Sequence, residues 1–240
     1  MTAQTNHSIS VDCVIFGFDG KTLQCLLVRR DTLDYKLPGS LIFENEDIPS
    51  AAYRVLEEMT GLHAVFLKEL SVFSNPSRVG DKDLEWINRY YHVNTTRVVT
   101  VAYYALLKLD HRTVFYTSAK GAEWKDISTI DRLAMDHKEI LSKALKTLNK
   151  DLIHSPVAFE MLPKKFTIRE LEILFMAILG VKLDSRNFRK KIAECSFIVP
   201  TGDKEVKVAH KPAAYYYFDK NKFLREEKKK VQLKLINWNY

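Results

Sequence analysis

Cysteine is scarce in this chain: three residues among 240, at Cys13, Cys25 and Cys195. An odd and scattered trio fits neither a disulfide framework nor a metal-ligand spacing, so buried free thiols in a reducing cytosol are expected. Long apolar runs are also missing. The longest, Ile173–Val181, falls far short of the roughly 20 residues that a membrane span needs. The leading residues MTAQTNHS are polar and lack the basic-then-apolar layout of a secretory leader. No internal repeat occurs, and the one mildly biased stretch is the basic Lys220–Lys230. These absences predict a cytoplasmic globular protein with no membrane partner, no metal and no cofactor.

What is present suits packed cores. The chain is 46% hydrophobic and 28% charged, and its length accommodates two domains. Charge divides them. Residues 1–150 hold 19 basic and 19 acidic side chains, whereas residues 151–240 hold 18 basic and 11 acidic ones and so carry the whole net charge of +7. A neutral first domain (1–150) joined to a basic second domain (151–240) directs any polyanion to the second.

Along the first domain, Val11–Phe18 and Thr22–Arg30 flank Asp19-Gly20 and read as a β-hairpin. A helix is predicted near Ser50–Thr60, opened by Pro49-Ser50 and closed by Gly61. Val65–Phe73, Arg97–Leu109 and Thr113–Thr117 read as strands, and Asp136–Asn149 as a helix. Between the first two of these strands lies a polar and aromatic insertion with Trp86, Arg89, Tyr90 and Tyr91, which suits either a lid or a dimer surface. Strands mixed with two helices predict an α/β sandwich.

The second domain changes pattern. Helices are expected at Pro156–Leu162, at Thr167–Leu179 with a Thr167/Glu170 capping box, and at Ser185–Cys195 with Asp184 as N-cap. A strand, a turn at Thr201-Gly202-Asp203 and further strands follow, the order of a winged helix-turn-helix.

Leu37–Leu62, LPGSLIFENEDIPSAAYRVLEEMTGL, resembles the Nudix box, G-x5-E-x7-R-E-U-x-E-E-x-G-U with U aliphatic. Glu46 takes the place of the first glutamate, Arg54 that of the arginine, Leu56 the aliphatic position and Gly61-Leu62 the ending. The resemblance implies that Glu46 and Arg54 hold the loop against the helix. Hydrolases of this family hold a divalent metal on glutamates at i, i+3 and i+4 of one helix face. Here those positions are Val55, Glu58 and Met59, and Ser40 replaces a glycine. A single carboxylate is a poor site for Mg²⁺, so no catalytic residue and no enzymatic activity are expected. Where Nudix domains bind their ligands, the resemblance nominates Lys36, Ser40, Glu58, Tyr103, Trp124 and His137 as lining an effector site.

The stretch Asp184–Cys195 supplies a second constellation. Phe188 and Ile192 share an apolar face, while Arg186, Arg189 and Lys190 fall at i, i+3 and i+4 on another, beside Asn187 and Lys191. Arg reads guanine, Asn reads adenine and Lys holds phosphate. The expected DNA contacts are therefore Ser185, Arg186, Asn187, Arg189, Lys190 and Lys191, with Lys207, His210 and Lys211 on the wing.

An altered Nudix box followed by a winged helix is similar to the Nudix-related transcriptional regulators of bacteria, over about residues 8–225. That resemblance implies a homodimer on palindromic double-stranded operator DNA, tuned by a small effector. The chain looks closest to the branch that answers to L-arabinose and controls sugar catabolism as a repressor, and the ADP-ribose branch stays open. Two further readings also stay open: a Nudix hydrolase using Glu46, Glu57 and Glu58 in an altered metal site, and a nucleic-acid-associated scaffold with no ligand.

Overall fold

The computed structural model describes residues 4–30, 34–63, 65–154, 156–206, 208–209 and 211–228. The chain divides into two compact units, the first built on residues up to Lys146 and the second mainly on Thr147 onward.

In the first unit, β1 (Thr5–Phe18), β2 (Leu23–Arg29), β3 (Tyr35–Lys36) and β4 (Gly39–Phe43) precede helix α1 (Ile48–Thr60). Then follow β5 (Lys68–Phe73), α2 (Asp81–Tyr91), β6 (Val99–Lys108), α3 (His111–Ala119), β7 (Ala122–Asp126) and α4 (His137–His154). The strands form one seven-stranded sheet with order β3-β2-β1-β6-β5, β4 joining β1 and β7 joining β2. From Ser10 onward every residue of β1 is buried, which explains why VDCVIFGF is a nearly continuous apolar run and not a half-polar alternation. Its period of two still sorts the side chains. Val11, Cys13 and Ile15 pack with Ala51, Ala52, Val55 and Leu56 of α1 in the main core. Asp12, between them in sequence, points to the other face.

Helix α1 closes at Gly61 as expected but opens earlier than the expected Pro49-Ser50, at Ile48. Asp47 is the N-cap, its carboxylate accepting from the Ser50 amide at 2.8 Å, and Gly61 closes the helix at φ 69° with its amide on Glu57 O. Gly39 is required for a different reason: a Cβ there would lie 1.9 Å from Asp12 Oδ1. Only glycine lets β4 approach β1 at that point.

Two local expectations, one strand and one turn, are corrected, and the aromatic insertion, for which no element was expected, gains one. Thr113–Thr117 is not a strand; it lies within α3, because Asp110 accepts from the Thr113 amide (2.8 Å) and hydroxyl (2.9 Å) and so caps a helix start. That cap outweighs the β-propensity of a Thr-Val-Phe-Tyr-Thr run. The aromatic insertion contains a helix, α2, in which Trp86 and Tyr90 stack one turn apart at 4.8 Å. In the second unit, Thr201-Gly202-Asp203 is no turn: β9 (Ile198–Lys204) runs straight through it, with Gly202 at φ 86°.

The second unit opens with a short 3₁₀ stretch over Pro156–Met161 in place of the expected first helix. It continues through β8 (Phe166–Thr167), α5 (Ile168–Leu179), α6 (Ser185–Ala193), β9, β10 (Ala214–Phe218) and α7 (Lys220–Lys228). The Thr167/Glu170 capping box is present in full. Asp184 caps α6 by accepting from the Asn187 amide at 2.7 Å. Strands β8, β10 and β9 make a small antiparallel sheet in that order. Its helices are joined by Phe175 of α5 and Phe188 of α6, whose rings meet edge-on at 5.4 Å. Among the described residues, no helix is long and apolar enough to cross a membrane.

Candidate functional site

The box helix α1 shows what has happened at the metal-ligand positions. Val55 is fully buried in the main core, and Met59, partly buried, packs against the same cluster. Glu58 alone keeps a carboxylate, 59% exposed and bonded to Arg54 at 3.1 Å. Two apolar side chains facing into a core and one surface carboxylate do not fit a Mg²⁺ ion, which needs several oxygen ligands. Among the described residues no cluster of three His, Cys, Asp or Glu side chains could hold a metal. By contrast, Arg54 grips Glu46 through Nε and Nη2, at 2.7 and 2.8 Å, and Glu46 also accepts from the Phe43 amide at 3.1 Å. The Arg54 guanidinium lies 4.0 Å over the Phe43 ring. This bidentate pair fastens the loop to the helix.

On the opposite face of β1 lies a buried polar cluster around Asp12. Thr100 Oγ1 donates to Asp12 Oδ2 at 2.7 Å, and Arg78 approaches the same oxygen at 3.8 Å. Arg78 also makes a bidentate bridge to Asp136, at 2.6 and 2.8 Å, with only 3% of its side chain exposed. His137 accepts from the Leu37 amide through Nδ1 at 2.9 Å. Its proton therefore sits on Nε2, which faces Asp12 Oδ1 at 3.4 Å. Burial holds His137 below its ordinary pKa, against the pull of Asp12. Burial also pushes Lys36 down to about 8, while its ammonium donates to Gly39 O at 2.6 Å and Leu37 O at 3.3 Å. Two carboxylates, two cations and a neutral imidazole thus balance without net charge, the arrangement that makes buried charge tolerable.

This cluster floors a cavity of about 30 Å³, roofed by Trp86, Ile87 and Tyr91 of α2 together with Met135. Tyr91 bonds Ser40, and burial raises its pKa to about 12. A cavity of this size has room for about two waters. Met135 has φ 55°, a left-handed conformation that is strained for a side chain of its size.

The six residues nominated for the effector site separate. Lys36, Ser40 and His137 line this cavity. Tyr103 is buried in the main core behind α1, and Trp124 packs against that core with its indole NH bonded to Thr117 Oγ1 at 3.0 Å. Glu58 lies on the α1 surface. The sequence reading missed Asp12, Arg78, Thr100, Asp136 and Tyr91. One signal was available: Asp12 is the single charge in an otherwise apolar strand, and a buried charge requires partners.

In the second unit, α6 turns Phe188 and Ile192 into the core and leaves Ser185, Arg186, Asn187, Arg189 and Lys190 exposed, with Lys191 half-buried. Among the described residues, Arg186, Arg189 and Lys190 enter no ion pair. Lys211 is exposed near the start of β10, whereas Lys207 and His210 lie outside the described residues. A helix packed on α5 that presents three such cations outward has the form of a major-groove reader.

The sheet with its box helix and the three-stranded winged unit define the class: an N-terminal Nudix-like α/β domain followed by a C-terminal winged helix domain. Residues 158–218 match the family of the NrtR DNA-binding winged helix domain. The chain is 26% identical over 218 residues to the "ADPR responsive transcriptional repressor NtrR" of Acinetobacter baylyi, covering 88% of this chain and 81% of that protein. In fold it is similar to Shewanella oneidensis NrtR in complex with a 27mer DNA, at TM-score 0.68 and 24% identity over 90% of this chain and 95% of that one. It is also similar to a MutT/nudix family protein of Enterococcus faecalis, at TM-score 0.60 and 23% identity over 91% and 88% of the two chains.

Proposed function

We propose that this protein is a cytoplasmic transcriptional regulator that senses a small effector without hydrolysing it and binds operator DNA as a homodimer. The sensing half rests on one observation: two of the three metal-ligand positions, Val55 and Met59, are built into the hydrophobic core. Restoring metal chemistry there requires charge inside a packed interior. The DNA-binding half is supported by the outward cationic face of α6 and by the match of residues 158–218 to a DNA-binding winged helix family. Two copies would place their α6 helices on half-sites about 34 Å apart.

L-arabinose, the effector expected from resemblance alone, gives way to ADP-ribose or a related nucleotide sugar. The curated relative that spans most of the chain is named as responding to ADPR, and nothing found here favours a pentose. The cleft lined by Lys36, Ser40 and His137 and by Trp86, Ile87 and Tyr91 of α2 is narrow, so a ligand bound there would move the α2 side chains. A cleft that widens for its ligand couples naturally to a change elsewhere, since the ligand selects the wider state.

Calorimetric titration of the full chain with ADP-ribose and, in parallel, L-arabinose tests this reading. We expect saturable heat with ADP-ribose and none with L-arabinose. Chromatography of the same sample with Mg²⁺ should return ADP-ribose intact. Release of AMP and ribose phosphate would instead establish an altered hydrolase.

A further inference from the structure

Helix α5 carries a carboxylate where a winged helix core ordinarily places an apolar side chain. Glu172 is fully buried between Leu171, Leu174 and Phe175. Its two oxygens take two different donors. Oε1 accepts from the hydroxyl of Ser185, the first residue of α6, and Oε2 accepts from Arg169 Nη1 at 3.2 Å. Arg169 lies one turn earlier on the same face of α5, and 59% of its side chain is exposed against 1% for Glu172. Burying a carboxylate costs several kcal/mol that an apolar residue would avoid, so its return lies in orientation.

We propose that Arg169 is a phosphate-binding residue of the DNA surface and that Glu172 is the positioning residue that aims it and seats the first turn of α6. The inference rests on the DNA-binding reading above and adds a contact from a second helix. One carboxylate holds both Ser185, at the start of α6, and the guanidinium, so Arg169 lies beside the N-terminal end of that helix. In helix-turn-helix docking, the recognition helix enters the groove by its N-terminal residues while the preceding helix meets the backbone. A guanidinium has five N–H donors. Glu172 engages one nitrogen and fixes the plane, leaving the exposed edge to meet a phosphate bidentately. Glu172 itself touches no DNA; it acts through Arg169 and Ser185.

The test uses the full-length protein and its Arg169→Ala, Glu172→Gln and doubly substituted forms. Each is titrated by fluorescence anisotropy at several salt concentrations against two duplexes. One is recovered from a random pool by repeated selection with the unaltered protein, and the other is unrelated in sequence. Arg169→Ala should weaken both duplexes by a similar factor, about 3–10, and make the salt slope shallower by about one. Glu172→Gln, whose amide oxygen can still accept from Ser185 but no longer attracts the guanidinium as a charge, should weaken both less, and the double substitution should match Arg169→Ala alone, because Glu172 then acts on DNA only through Arg169. Arg169→Ala leaves the buried Glu172 carboxylate without its cation, a loss that the double form with Glu172→Gln relieves, and melting curves check that every form is folded at the assay temperature. Unchanged salt dependence in Arg169→Ala overturns the proposal, as do independent, multiplying losses in the double form. A loss confined to the selected duplex makes Arg169 a base reader and overturns the phosphate assignment. If the unaltered protein binds neither duplex, the DNA reading itself fails.

Discussion

Helices α1 and α6 begin alike and end up serving opposite purposes. Each is capped by an aspartate, Asp47 or Asp184, that accepts an amide three residues on, and each buries one apolar face. In α1 the buried face has taken over the positions where a Nudix hydrolase keeps its metal ligands: Val55 and Met59 belong to packing. In α6 the buried face is limited to Phe188 and Ile192, and the chemistry-bearing residues stay in solvent. In the proposed reading, a helix gives up chemistry when its reactive positions become core positions, and keeps it when the core needs only a narrow stripe. The same kind of substitution should then have opposite consequences in the two helices.

The largest contrast comes from placing one negative charge on each. Val55→Glu puts a carboxylate into a fully buried site with no partner. It should cost about 3–5 kcal/mol of stability, read from urea unfolding, without restoring hydrolysis. A mild effect accompanied by Mg²⁺-dependent turnover would break the comparison. Arg189→Glu in α6 should leave stability within about 0.5 kcal/mol, as exposed substitutions do. It should nevertheless weaken DNA binding by about 100-fold or more, through charge reversal against phosphate.

A smaller effect separates the two units by pH. His137 is buried neutral, below its ordinary pKa of 6.5. Above 6.5 the folded and unfolded chains both carry it uncharged. As pH falls below 6.5 the unfolded chain takes up a proton that the folded one does not, so stability drops with falling pH, by at most about 1.4 kcal/mol per unit. Melting between pH 7.5 and 5.5 should show this, and His137→Gln should flatten the profile. The smallest effect is expected from Lys190→Ala: unchanged melting, a few-fold loss of affinity alike on all sequences, and a salt slope shallower by about one.

How much of this was legible in the sequence depends on how local the determining signal was. The ends of α1, α5 and α6 are written in neighbouring residues, Asp47 and Gly61, Thr167 and Glu170, Asp184, and they form as those residues direct. The helix at α3 was read as a strand because its Thr-Val-Phe-Tyr-Thr run favours β structure, and the decisive cap is one side chain, Asp110. The glycine of Thr201-Gly202-Asp203 looked like a turn, yet pairing with β10 carries it within a strand. The polar cluster was only half visible. Lys36, Ser40 and His137 could be nominated, but Asp12, Arg78 and Asp136 come together from positions as far as 124 apart in number, through the packing of a strand and two connecting segments that no local pattern encodes. The identity of the proposed effector is the least legible feature, because recognition of a small ligand rests on a few side chains and periodicity carries no trace of them.

The central claim is that an effector bound in the Nudix-like domain controls DNA binding by the winged helix domain. Titrating ADP-ribose into the full-length protein on its selected duplex, with anisotropy as the readout, tests it most directly. The account predicts a shift in DNA affinity of about 5- to 150-fold, the usual range of allosteric coupling, with ADP-ribose recovered unchanged. Saturable ADP-ribose binding that leaves DNA affinity unaltered, or conversion of ADP-ribose to AMP, would contradict it.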